Sequence, residues 1–279
     1  MQPVKVIDTI ELFPVLHEQL VSLLEELTPD QWQSPTVLRG WCVKDIASHI
    51  IDGHFRRVAL YRDRYIDPNP PRIDSYQSLV DYLNQLNHDW VIATRRISPA
   101  QLLDWLRQVG PEVYQLFKTL PPHDAATFSV AWAGEESSQN WFHIAREYTE
   151  LWHHQQQIRL AVDQTEPLMN AALYHPVIDT FMRALPYTYR SVMAPEATRI
   201  RFTLTNLTGS WYLYRAATDW QLVTDIADQQ PVTDVSIDGQ LAWRLFTKGL
   251  TDAEAASSVT IEGDQSLGNP VLRMLSVMA

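Results

Sequence analysis

Glycine is scarce in this sequence, nine residues in 279. None falls in a GxGxxG or GxxxxGKS/T pattern, so the glycine-rich cradles that hold nucleotide phosphates have no support. Cysteine is scarcer still. Cys42 stands alone, which excludes an intrachain disulfide and makes a reduced, cytoplasmic setting the simplest expectation. Cations are outnumbered, 22 Lys and Arg against 33 Asp and Glu, for a formal net charge of -11. That balance counts against nucleic acid as a partner, because neutralising phosphates needs clustered Lys and Arg. No apolar run approaches the ~18 residues of a membrane span, and the opening MQPVKVIDTIELF lacks a signal peptide's apolar stretch. Neither a membrane nor export is expected. Histidine is absent after His175, the other eight being His17, His49, His54, His88, His123, His143, His153 and His154. Imidazole chemistry therefore belongs to the N-terminal two-thirds.

What is present is ordinary for a folded protein. Hydrophobic residues make up 46% and charged residues 20%, which excludes wholesale disorder, and the length makes two domains the default. From Thr9 to Leu27 apolar residues recur at three- and four-residue steps, the helical period. Helices are predicted over 43–65, 77–96 and 98–120, the last kinked or interrupted at Gly110-Pro111, and a long one over 139–162. Proline-marked loops separate them, Asp67-Pro-Asn-Pro-Pro71 most firmly. This pattern predicts a four-helix bundle, an architecture that places metal and ligand sites in its interior. After Pro167 the texture changes. A helix over 171–185 precedes strand-like segments at 198–205, 211–215, 220–224, 232–237 and 258–262, with helices over 239–246 and from Asn269 on. The expected organisation is a bundle over 1–168, a connecting helix over 169–185 and a small α+β domain over 186–279.

One helix carries the chemistry. Glu150 and His154 are four residues apart, so they lie a turn apart on one face, where a carboxylate and an imidazole can clasp one cation. His49, midway along the apolar second helix, is the obvious third ligand. Three protein ligands leave a position for water or a thiol, the arrangement of a catalytic zinc site. Spacing alone leaves rivals open. His143, Glu147, Glu150 and His154 share a broad stripe, so His143 with Glu147 is another clasp, and His153 competes with its neighbour. Arg56-Arg57 and Arg95-Arg96 read as solvated helix faces.

The segment Gly40-Trp-Cys-Val-Lys-Asp-Ile-Ala-Ser-His49 resembles the second-helix entry of the DinB-like superfamily. It is similar in particular to the N-terminal domain of the mycothiol-dependent maleylpyruvate isomerase family, whose pattern is Gly-Trp-Thr/Ser-x-x-Asp-x-x-x-His. The run from Glu150 to Ile158 resembles that family's Glu-x-Trp-x-His-x-x-Asp-Ile/Leu. The stretches 235–249 and 259–264 are like its small second domain, so the resemblance spans nearly the whole chain. It implies a DinB-like four-helix bundle followed by a small mixed α+β domain, with His49, Glu150 and His154 as ligands of a divalent metal, zinc by ligand type. Three departures stand out. Cys42 occupies the family's Thr or Ser helix cap and reads as a structural thiol. Gln157 replaces the Asp. Lys248-Gly249 stands where Gly-Arg is usual, so a substrate anion would fall to Arg244 or Lys248.

The activity implied is that of a metal-dependent, low-molecular-weight-thiol-dependent isomerase or S-transferase. It would take a mycothiol-like cosubstrate and a small electrophile, with Tyr148 and Trp152 beside the ligands to line a thiol pocket. Two alternatives use the same bundle: a metal-dependent hydrolase, and a metal- or ligand-binding protein without turnover. Exposed apolar bundle faces are compatible with a homodimer.

Overall fold

The computed structural model describes residues 4–225 and 230–278; the terminal positions of the expected domain bounds, 1 and 279, lie outside the described residues. The N-terminal half is helical: α1 (Phe13–Glu26), the single turn α2 (Pro29–Trp32), α3 (Val43–Tyr61), α4 (Tyr76–Thr94), α5 (Pro99–Lys118) and α6 (Asn140–Ala161). The helix starts follow their capping chemistry. Thr28 accepts the Gln31 amide while Gln31 reaches back; Ser75 and Ser98 accept the amides of Ser78 and Gln101, and Pro99 occupies the first turn, where its missing N–H costs nothing.

The apolar steps read in the sequence are the buried faces. Phe13, Leu16, Leu20, Leu23 and Leu24 of α1 are buried, as are Leu102, Leu106, Val109, Val113 and Phe117 of α5. The Phe13 and Phe117 rings meet edge to face at 5.2 Å. Gly110-Pro111 does not interrupt α5, as the sequence had suggested; the helix runs through both residues. The glycine has a packing reason, since a Cβ there would lie 2.3 Å from Nδ1 of His17. It keeps the approach of α1 open.

Beyond α6 come α7 (Ala171–Phe181) and α8 (Leu185–Thr188). A five-stranded mixed sheet then follows, made of β1 (Arg199–Leu204), β2 (Trp211–Arg215), β3 (Trp220–Val223), β4 (Thr233–Ile237) and β5 (Val259–Gly263). Its order is β3-β2-β1-β4-β5. All neighbours are antiparallel except β1 and β4, which run parallel with Phe202 opposite Val235. Ile200, Phe202 and Leu204 alternate with less buried residues along β1, the signature of a sheet with one packed face. Short helices α9 (Ala242–Phe246), α10 (Asp252–Ser257) and α11 (Gln265–Gly268) complete the chain's second half. Apolar periodicity does not reveal α10, but its start carries a capping box: Thr251 accepts the Glu254 amide and Glu254 accepts the Thr251 amide.

The chain is thus a helical N-terminal region followed by a small mixed sheet domain. Its two compact units are interleaved in sequence. One comprises Thr9–Asp124 and Glu147–Leu168, the other Met1–Asp8, Ala125–Arg146 and Met169–Ala279. The boundary falls inside α6, and residues 125–146 cluster with the sheet rather than with the helices that precede them. Among the described residues no helix is long and apolar enough to cross a membrane.

Candidate metal centre

The helical unit contains all three expected ligands, His49, Glu150 and His154. At the start of α3 the Asp45 carboxylate accepts the Cys42 amide at 3.0 Å, and burial pushes the Cys42 thiol above its ordinary pKa. That is the behaviour of a structural cysteine. Three contacts then clamp α3 against α4 beside the site. The Ser48 hydroxyl meets Thr94 Oγ1 at 2.6 Å, Trp90 Nε1 donates to the Ser48 carbonyl at 2.8 Å, and Lys44 Nζ donates to the Arg95 carbonyl at 2.8 Å. With Ser48 held against α4, the next side chain, about 100° further round the helix, is His49, and it meets α6.

His49 Nε2 lies 3.2 Å from His154 Nε2, and His154 Nε2 lies 3.5 Å from Glu150 Oε2. These lengths are informative. Ligand atoms about 2.0–2.2 Å from a tetrahedral zinc stand about 3.3–3.6 Å from one another, so these two separations are close to edges of such a tetrahedron. The donor set, two imidazole nitrogens and a carboxylate oxygen, is the borderline-hard mixture that zinc accepts. The residues present fit a divalent cation.

Local electrostatics favour the ligand form of His49. Burial, reinforced by His154 and Arg56, holds His49 well below the ordinary histidine pKa, leaving it neutral with a lone pair to offer. Its Nδ1 is shut off from solvent and has no hydrogen-bond partner among the described residues. His154 differs: its Nδ1 meets Gln157 Oε1 at 2.9 Å, and Gln157 is itself buried.

The group whose donor atoms all lie within 4.8 Å of one another among the described residues is Glu150, His153 and His154, so His153 stands as a rival ligand, and His49 meets this group at His154 Nε2. His153 is buried rather than on the surface, its ring 4.0 Å from that of His154 and its Nδ1 2.9 Å from the Thr149 carbonyl oxygen. The rival clasp is not formed. His143 Nδ1 meets Arg146 at 2.8 Å, while Glu147 pairs with Arg57 at 2.6 Å. Arg57 is therefore not the solvated residue the sequence suggested. Its partner on α6 draws it inward, and the pair ties α3 to α6 beyond the site. Arg56 keeps partial exposure and pairs with Asp52 at 3.0 Å.

Tyr148 and Trp152 are wholly buried. Tyr148 packs edge-on against Phe13 at 5.8 Å, and the Trp152 indole donates to the Leu168 carbonyl at 3.2 Å; neither offers surface to a thiol in this conformation. Arg244 and Lys248 belong to the other compact unit. Arg244 Nε and Nη2 donate to the Gly249 carbonyl at 3.0 and 2.8 Å, closing the turn after α9, and Lys248 sits in that turn with φ 58°.

Comparison with known proteins bears on the family and on the fold. The family model described as the mycothiol maleylpyruvate isomerase N-terminal domain matches residues 13–159. Among solved structures, the mycothiol-dependent maleylpyruvate isomerase and a histidine-to-alanine variant of it each align with a TM-score of 0.53 at 11% identity. Each alignment covers 94% of this chain and 96% of the other, a likeness of fold. No curated protein sequence matches the chain.

Proposed function

The chain belongs to the family of the mycothiol maleylpyruvate isomerase N-terminal domain, and from that premise we propose that it is a metal-dependent, thiol-dependent isomerase or S-transferase acting on small electrophiles. The observation that carries the reading is the contact of His154 Nε2 with both His49 Nε2, at 3.2 Å, and Glu150 Oε2, at 3.5 Å. Such a cation, when bound, supplies Lewis acidity that lowers the proton affinity of a thiol. The chain's own residues do the rest. His49 arrives neutral because burial disfavours its charge. Glu150 contributes the one negative charge of the ligand trio, and three protein ligands keep a coordination position for the cosubstrate.

The reaction class follows from thiol chemistry. Sulfur adds to a conjugated double bond, the resulting single bond rotates, and expulsion of the same thiol restores the double bond in trans form with no net change of atoms. Without expulsion the product is a thioether and the protein an S-transferase. The test is metal analysis of the purified protein, then a thermal-shift screen of low-molecular-weight thiols. A thiol that raises the melting temperature only of metal-loaded protein is the expected result. Ester or amide turnover without any thiol would instead identify a hydrolase, and silence in both assays a binding protein.

A further inference from the structure

The two imidazoles that face each other at the candidate centre are not supported alike. His154 Nδ1 has an acceptor, Gln157 Oε1 at 2.9 Å, one turn further along α6. His49 Nδ1 is buried and has none among the described residues. A neutral imidazole carries a single N–H, and the hydrogen bond made by one nitrogen decides which nitrogen keeps the lone pair.

We propose that Gln157 is the positioning residue of the centre, fixing His154 in the tautomer protonated at Nδ1 so that its Nε2 lone pair faces His49 and Glu150. The inference rests on the metal-centre reading above. An amide oxygen only accepts, so a contact with Gln157 Oε1 requires the proton on Nδ1. In the metal-free protein His154 Nε2 is then bare, and the 3.2 Å contact to His49 Nε2 requires His49 to donate, a proton that Nε2 gives up before it can ligate a cation. His49 Nδ1 is then the bare nitrogen of its ring, and it is the buried atom without a partner. An unpaired lone pair is tolerated better in the interior than an unpaired N–H. In the metal-free protein one proton position, set by Gln157, thus accounts for the contacts of His154 with Gln157 and His49. Gln157 is only 3% exposed, so water competes little for the bond. The family pattern places a carboxylate here; the amide keeps the acceptor and leaves out the charge.

The test has two readouts that do not depend on turnover. Side-chain ¹⁵N–¹H correlation spectra of the metal-free protein report the His154 tautomer, and competition with a chromophoric chelator reports zinc affinity. In the native protein His154 is expected to be protonated at Nδ1. Gln157→Leu, of similar bulk without an acceptor, should let the proton move to Nε2 and weaken zinc binding about 10–100-fold. Gln157→Glu should restore the Nδ1–H form and bind zinc at least as tightly as the native protein. Native tautomer and affinity in Gln157→Leu would overturn the proposal. Should that variant not fold, Gln157→Glu decides alone: a proton on His154 Nε2, or weaker zinc binding, overturns it. His154→Ala separates the two layers. If it abolishes zinc binding while Gln157→Leu does not, the centre stands and the positioning role falls. If it retains zinc, the centre itself falls, and the tautomer of His154 in Gln157→Leu still decides the role of Gln157.

Discussion

The Nε2 atoms of His49 and His154 stand 3.2 Å apart although 105 positions of sequence separate them. Removing either ring should therefore remove the same property. His49→Ala, Glu150→Ala and His154→Ala are each expected to lose bound metal, because two remaining protein ligands seldom hold zinc. His143→Ala should keep it, since His143 pairs with Arg146 instead. Metal content by elemental analysis checks this, and full stoichiometry in His154→Ala contradicts it.

The ion pair of Arg57 with Glu147, 2.6 Å long with side chains 15% and 10% exposed, joins α3 to α6 in a largely dry setting. Removing one partner strands the other charge. Glu147→Ala should cost about 3–5 kcal/mol of unfolding free energy, measured by urea denaturation at neutral pH. The double variant Arg57→Met/Glu147→Leu should recover most of that loss. A cost in Glu147→Ala no larger than that of an exposed pair, below about 1 kcal/mol, would show that water reaches the bridge.

Burial, with His17 nearby, pushes His54 down to about 4. The unfolded chain takes up that proton near pH 6.5. Between these values the unfolded state binds more protons than the folded one, so stability falls as pH drops. The contribution is complete above about pH 6.5 and eroded towards pH 4, by up to about 1.4 kcal/mol per pH unit. His54→Gln should remove this part of the slope, and an unchanged slope between pH 4 and 6.5 would assign the proton uptake elsewhere.

Cys42 is the N-cap of α3 with an extended backbone, φ -98° and ψ 175°. A serine hydroxyl accepts amide hydrogen bonds better than sulfur does. Cys42→Ser is expected to raise stability by up to about 1 kcal/mol with metal content unchanged. Loss of activity in a well-folded Cys42→Ser protein would reveal a chemical role for the thiol.

Much of this molecule is written locally. The helical steps of Leu16, Leu20 and Leu24, the alternation of Ile200, Phe202 and Leu204, and the caps at Ser75 and Ser98 specify their elements from neighbours a few residues away. The same short range places Glu150 and His154 on one face of α6, because four residues make about one turn. Periodicity says nothing about which helix will face that stripe, or at what height. So the sequence could propose His49, but only the packing of α3 against α4 and α6 sets its Nε2 opposite His154. That packing also decides between chemically equal candidates: Glu147 goes to Arg57, and Glu150 is left beside His154. Gln157, read in the sequence as the loss of a carboxylate, becomes an acceptor for His154 once both side chains have fixed rotamers. Sequence spacing determines which side chains share a face; the register between helices, set by close packing and buried ion pairs, determines which of them meet.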